Sequence, residues 1–92
     1  MADELVIGTI VGVEEHLGAR APSLLLTVDL GTYGTHETVL STGGYEAQEL
    51  KGTQILCRRD DDGAAVVVAH SHGKGLVLLR PDQATEPGTV VS

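Results

Sequence analysis

The chain is predicted to be a small all-β barrel with one short helix, and three observations predict it. Its core must be aliphatic, because Trp and Phe are absent and Tyr occurs only twice in 92 residues. Twelve glycines interrupt the runs of β-formers, a pattern of short strands joined by tight turns. The third observation is Cys57-Arg58-Arg59-Asp60-Asp61-Asp62-Gly63, an Asp-Gly step between apolar runs at Thr53–Leu56 and Ala64–Ala69. That arrangement reads as a β-hairpin.

Leu5–Val13 is the first strand. Gly8 and Gly12 lie inside it, and a glycine within a strand marks a bulge, a bend or a close approach. Barrel closure needs such bending. Glu14–Pro22 follows as a loop. In Ser23–Leu30, Leu24, Leu26, Val28 and Leu30 fall on one side and Ser23, Thr27 and Asp29 on the other, with Leu25 the exception. This is a half-buried strand.

Gly31–Gly34 turns the chain, Thr35–Ser41 returns as the third strand, and Thr42-Gly43-Gly44 breaks it. Tyr45–Leu50 is the one plausible helix, stopped by Gly52. Thr53–Leu56 and Ala64–Ala69 flank the hairpin, and Gly75–Leu79 is the last strand. The Pro81–Ser92 tail is expected to run back across the barrel. About six strands, with a helix after the third, match an OB-fold-like five- to six-stranded barrel with one short helix. An SH3-like barrel is compatible with the same pattern. Residues 1–92 are expected to form a single domain, near the lower end of size for independent folding.

Six Lys plus Arg against thirteen Asp plus Glu give a formal charge of −7. This argues against a general attraction to nucleic acid or to anionic membrane. One cysteine excludes an internal disulfide framework and suits a reducing cytosol. Cys57 ends an apolar run and reads as a small buried filler. The N-terminus carries no basic leader and no apolar stretch approaches membrane-spanning length. A cytoplasmic protein with no membrane partner is therefore expected.

The residues support a binding module and no enzyme. No Gly-x-Ser-x-Gly, phosphate loop or zinc-ligand pattern occurs. His70 and His72, two apart on a strand, would share a face, but two histidines fall short of a zinc site and a turn is the plainer reading. No metal or cofactor is expected. Arg20, Arg58 and Arg59 carry more weight: they fall on the two loops that flank the ligand face of an OB-fold. They read as a local patch for phosphate or carboxylate. The plainer reading pairs Arg58 and Arg59 with Asp60–Asp62 in solvent, which contributes little. Tyr33, in a turn, can stack one base; Tyr45, opening the helix, is expected to pack against the barrel.

Several stretches, in order, resemble the tRNA-binding domain of CsaA-type proteins and of some aminoacyl-tRNA synthetases, including the C-terminal methionyl type. Val6–Glu14 is similar to the family's opening strand, and Glu15–Arg20 to its first loop. Tyr45–Gly52 resembles its Tyr-x-x-x-Glu-Leu-x-Gly helix. Leu78-Leu79-Arg80-Pro81-Asp82 and Glu86-Pro87-Gly88-Thr89 resemble its closing signature. Ala19-Arg20-Ala21-Pro22 brings the CsaA branch nearest. The family's basic segment between strands four and five is shortened here to Arg58–Gly63, half of it acidic. The resemblance implies an OB-fold that binds tRNA or structured RNA through Arg20, Arg58, Arg59 and Tyr33. It also implies a homodimer with the terminal segments in its interface. A CsaA-like module that binds a peptide or protein client in export is the alternative, and a scaffold that has lost RNA binding a third.

Overall fold

The computed structural model describes residues 4–15, 23–41, 45–73 and 75–91. Among the described residues, seven strands run β1 (Glu4–Glu15), β2 (Ser23–Asp29), β3 (Thr35–Ser41), β4 (Gln54–Asp60), β5 (Gly63–Val66), β6 (Val68–Ser71) and β7 (Gly75–Leu78). One helix, α1 (Ala47–Leu50), separates β3 from β4. The main sheet is antiparallel, in the order β3-β2-β1-β4-β5. β5 curls back beside β3 and nearly closes the barrel. That strand order, with the helix after β3, is the OB-type barrel rather than an SH3-like one.

β1 is long because it serves two neighbours. Its first half, Glu4–Thr9, pairs with β4, and Thr9–Glu15 pairs with β2. The crossover between them is where the two glycines sit. Val11 is the extra residue of a bulge between Ile10 and Gly12. At Gly8 a Cβ would collide with the side chains of Val28 and Leu30. The expected bulge and close approach are both present, one at each glycine.

The C-terminal segment takes the edge of β1 that β2 leaves open. Gly88 N–H donates to Ile7 O (2.7 Å), Ile7 N–H to Thr89 O (2.9 Å) and Val91 N–H to Leu5 O (2.8 Å). Gln54 pins the same segment, donating from Nε2 to Thr85 O (2.6 Å) and accepting from Thr85 N–H (3.0 Å). The tail does run back along the barrel, as expected.

Inside, Val6, Ile10, Leu26, Leu30, Leu50 and Ile55 are fully buried. α1 closes one end with Leu50, and Gly52 (φ +89°) returns the chain so that its N–H reaches Ile10 O at 2.7 Å. Tyr45 packs against the core and its hydroxyl accepts from Leu78 N–H at 3.0 Å, the role expected of it.

Several boundaries differ from expectation. β1 continues through Glu14 and Glu15, expected as loop, because Leu25 and Leu24 supply their ladder partners, and α1 begins at Ala47 rather than Tyr45. β4 does not stop at Leu56 but continues to Asp60, because Glu4 and Leu5 on one side and Ala64 and Ala65 on the other supply ladder partners. The run Ala64–Ala69 is not one strand: at Val67 it leaves β4 and turns to pair with β7. Leu56 holds this junction, accepting from Val67 N–H (3.0 Å) and donating to Leu79 O (2.9 Å). The loop expected up to Pro22 and the break at residues 42–44 lie in or reach into segments outside the described residues.

Cys57 is buried in the core, and desolvation pushes its thiol up to about 11 from 9.0. The folded state therefore keeps this proton where the unfolded chain releases it. The resulting stabilisation is fully present below pH 9 and is lost as pH rises from 9 through about 11. Denaturant titrations across that range should show the decline, and Cys57→Ser should flatten it. Alkylation of the native thiol at pH 8 should track unfolding.

Candidate functional site

The hairpin at Arg58–Gly63 is real, and its turn is Asp61-Asp62, with Asp60 paired to Gly63. Asp62 N–H donates to Asp60 Oδ1 at 2.8 Å, and Gly63 adopts φ +144°. Arg58 and Arg59 are not loop residues, however. Both lie in β4, opposite Ala65 and Ala64, and strand alternation sends them to opposite faces.

Arg59 follows Ile55 and Cys57 on the inward face, at the mouth of the barrel. Its guanidinium lies over the Tyr33 ring, 4.0 Å from the centroid, and forms an ion pair with Glu4. The hydrogen bond that Arg59 donates to the Glu4 carboxylate holds the guanidinium above its ordinary pKa range, so it stays charged. Tyr33 sits in the 3-10 turn Gly31–Tyr33, partly buried against the core. His36 Nε2–H donates to Tyr33 O at 3.0 Å, fixing that turn to β3. The partner of Arg59 is thus Glu4, 55 residues away, and not the neighbouring aspartates.

Arg58 points outward on the exposed face of β4, with Asp60 next along that face. Arg58, Asp60, Asp62 and Gly63–Ala65 line one shallow depression. Arg20 lies outside the described residues. Of the four residues expected to contact RNA, the structure brings together Arg59 and Tyr33 and keeps Arg58 on the other side of its strand. His70, in β6, and His72, in the turn beyond it, are exposed. Among the described residues no three His, Cys, Asp or Glu side chains gather as metal ligands.

The ligand-binding region of an OB-fold includes the outward face of β2 and β3, and here its residues can be read from the register. Leu24, Leu26 and Val28 are buried, so Leu25, Thr27 and Asp29 face out. Leu25 stands opposite Val39 on β3 and Glu14 on β1; Thr27 stands opposite Glu37 and Gly12; Asp29 stands opposite Thr35. Val39 is 48% exposed, and Glu14 and Glu37 are also exposed. Asp29 Oδ1 accepts from Gly31 N–H at 2.8 Å, which steadies the turn at the end of the face. Among the described outward residues of β1, β2 and β3 there is no Lys or Arg.

No family model and no curated protein matches the sequence. Solved structures do match. The chaperone CsaA from Bacillus anthracis str. Ames superimposes with a TM-score of 0.87 at 27% identity, over 98% of this chain and 91% of that one. The fold is that of CsaA. The CsaA chaperone protein from Picrophilus torridus gives 0.85 at 23% identity, covering 98% and 92%. A MetRS-related protein from Pyrococcus horikoshii gives 0.74 at 14% identity, covering 98% and 90%. The resemblance seen in the CsaA-like stretches of sequence therefore extends to the three-dimensional fold. The likeness supports a binding module.

The sequence reading missed Glu4, Glu14, Glu37 and Val39. Leu25 carried the signal, as the apolar residue on the wrong side of an otherwise regular alternation. Its meaning needs the β2–β3 register, which pairs this half-buried side chain with the exposed Val39.

Proposed function

We propose that the chain is a non-catalytic binding module whose client is a protein segment rather than RNA. The observation that carries this reading is the state of Arg59, whose charge Glu4 already neutralises while its flat face is spent on Tyr33. A phosphate would have to displace Glu4, and a base would have to displace the guanidinium. The shortened hairpin adds Asp60–Asp62 where a nucleic-acid contact needs positive charge, and the formal net charge of −7 opposes approach of a polyanion. The likeness to the chaperone CsaA supports the same choice.

A homodimer fits this reading. Leu5 and Val91 lie side by side where the tail joins β1, 39% and 43% exposed. A second copy would cover that strip. A cytoplasmic setting suits the single buried thiol.

The test is a pair of titrations at low and moderate salt, one with tRNA and one with a reduced, unfolded polypeptide. The proposal expects the polypeptide to be retained at both salts, tRNA to compete poorly, and light scattering to give twice the chain mass. Tight tRNA binding at low salt that falls steeply with salt, and weakens on Arg59→Ala, would overturn it.

A further inference from the structure

We propose that the outward face of β1, β2 and β3 is the docking surface, and that it takes an extended, Lys- or Arg-bearing aliphatic segment of another protein. This rests on the protein-client reading above and gives that client a chemistry and a location.

The centre of the face is the cross-strand pair Leu25–Val39, whose side chains are held out of the core by the alternation that buries Leu24, Leu26 and Leu40. Gly12, opposite Thr27, adds no side chain to this flank, and a Cβ there would sit against Thr27 at 3.4 Å. Around this centre stand Glu14, directly opposite Leu25, and Glu37, directly opposite Thr27. Asp29 closes the end.

Exposed aliphatic surface rimmed by carboxylates is complementary to one kind of segment. Its apolar side chains cover Leu25 and Val39, and its lysine or arginine stems lie across the same surface while their charged heads reach the rim. Charge complementarity selects this partner over a neutral or acidic one and speeds the encounter. The same carboxylates repel phosphate, so a strand of RNA meets like charge on the face where OB-folds commonly grip it. Leu25 and Val39 are both aliphatic, and base binding by this fold relies on aromatic rings.

The experiment uses the whole chain and a fluorescent peptide alternating Lys and Val, with Glu–Val and Ser–Val peptides as controls. Two variants remove equal charge: Glu14→Gln with Glu37→Gln on the face, and Asp61→Asn with Asp82→Asn away from it. All four positions are exposed, and thermal melts verify that both variants fold. The face variant should lose about tenfold in affinity for the Lys–Val peptide and the distant variant less than about twofold. Val39→Ser should weaken the Lys–Val and Ser–Val peptides alike.

Equal losses in the two charge variants would mean a diffuse effect of net charge and would overturn the docking site. So would an unchanged affinity in the face variant, or wild-type protein that retains unfolded polypeptide but not the Lys–Val peptide. In those outcomes the protein-client reading stands. If wild type retains neither, that reading falls with it.

Discussion

Gly31→Val is expected to destabilise the protein by about 3 kcal/mol or more, whereas Gly34→Ala, three residues on, should cost about 1–2 kcal/mol. Both glycines have positive φ, +64° and +87°, so both substitutions bear the left-handed penalty. The difference is space, with the added strain of a β-branched side chain at positive φ. No atom lies within 4 Å of a Cβ at Gly34, while at Gly31 a Cβ would fall on the carbonyl of Pro87. Gly88 returns the constraint, since a Cβ there would strike the carbonyl of Leu30. Two backbones cross at these glycines, and neither can give way without releasing the tail from Ile7 and Leu5. At about 4–8 °C per kcal/mol for a domain of this size, Gly31→Val should lower Tm by more than about 10 °C, and Gly34→Ala by much less. Circular-dichroism melts of the two variants decide it. Similar losses would mean that the crossing contributes nothing.

Leu26→Ala should cost about 2–5 kcal/mol, the range for a large-to-small change at a site that cannot collapse. Leu26 is fully buried in the strand between β1 and β3. A chain of this length has about 5–14 kcal/mol in total, so this one change removes a large part of it. Leu25→Ala, one residue earlier, should cost less than about 1 kcal/mol, because its side chain faces out. Urea titrations of the two variants test the alternation on which the docking face depends. If Leu25→Ala proved as costly as Leu26→Ala, the face would be a buried surface and the proposal for it would fail.

Much of the barrel was legible in the sequence, for local reasons. β2 was readable because its alternation is strong, and β3 because the Gly31–Gly34 turn sends the chain back beside it. Gly8 and Gly12 announced their bend because few other reasons exist for glycine inside a β-former run. The helix was readable from Gly52 and its place after the third strand. What was not legible depends on partners distant in sequence. Charged Arg58 and Arg59 read as loop residues, yet β4 continues through them because β1 and β5 pair with both sides. The break at Val67 reflects a change of partner, from β4 to β7, with no residue there to signal it.

The site was legible only in outline. The sequence pointed to Arg59 and Tyr33 separately, as charge and ring, and the fold turns them on each other with Glu4 closing the pair. Glu14, Glu37 and Val39 are unremarkable as isolated residues. They become a surface through a register that sets them around Leu25.

The most direct test of the central claim is an amide NMR titration of the whole chain with the Lys–Val peptide and, separately, with tRNA. The account predicts that the peptide shifts resonances of Gly12, Glu14, Leu25, Thr27, Glu37 and Val39, and that tRNA at the same concentration shifts few. Shifts concentrated at Tyr33 and Arg58–Gly63 on adding tRNA, with the β1–β3 face silent to peptide, would contradict it.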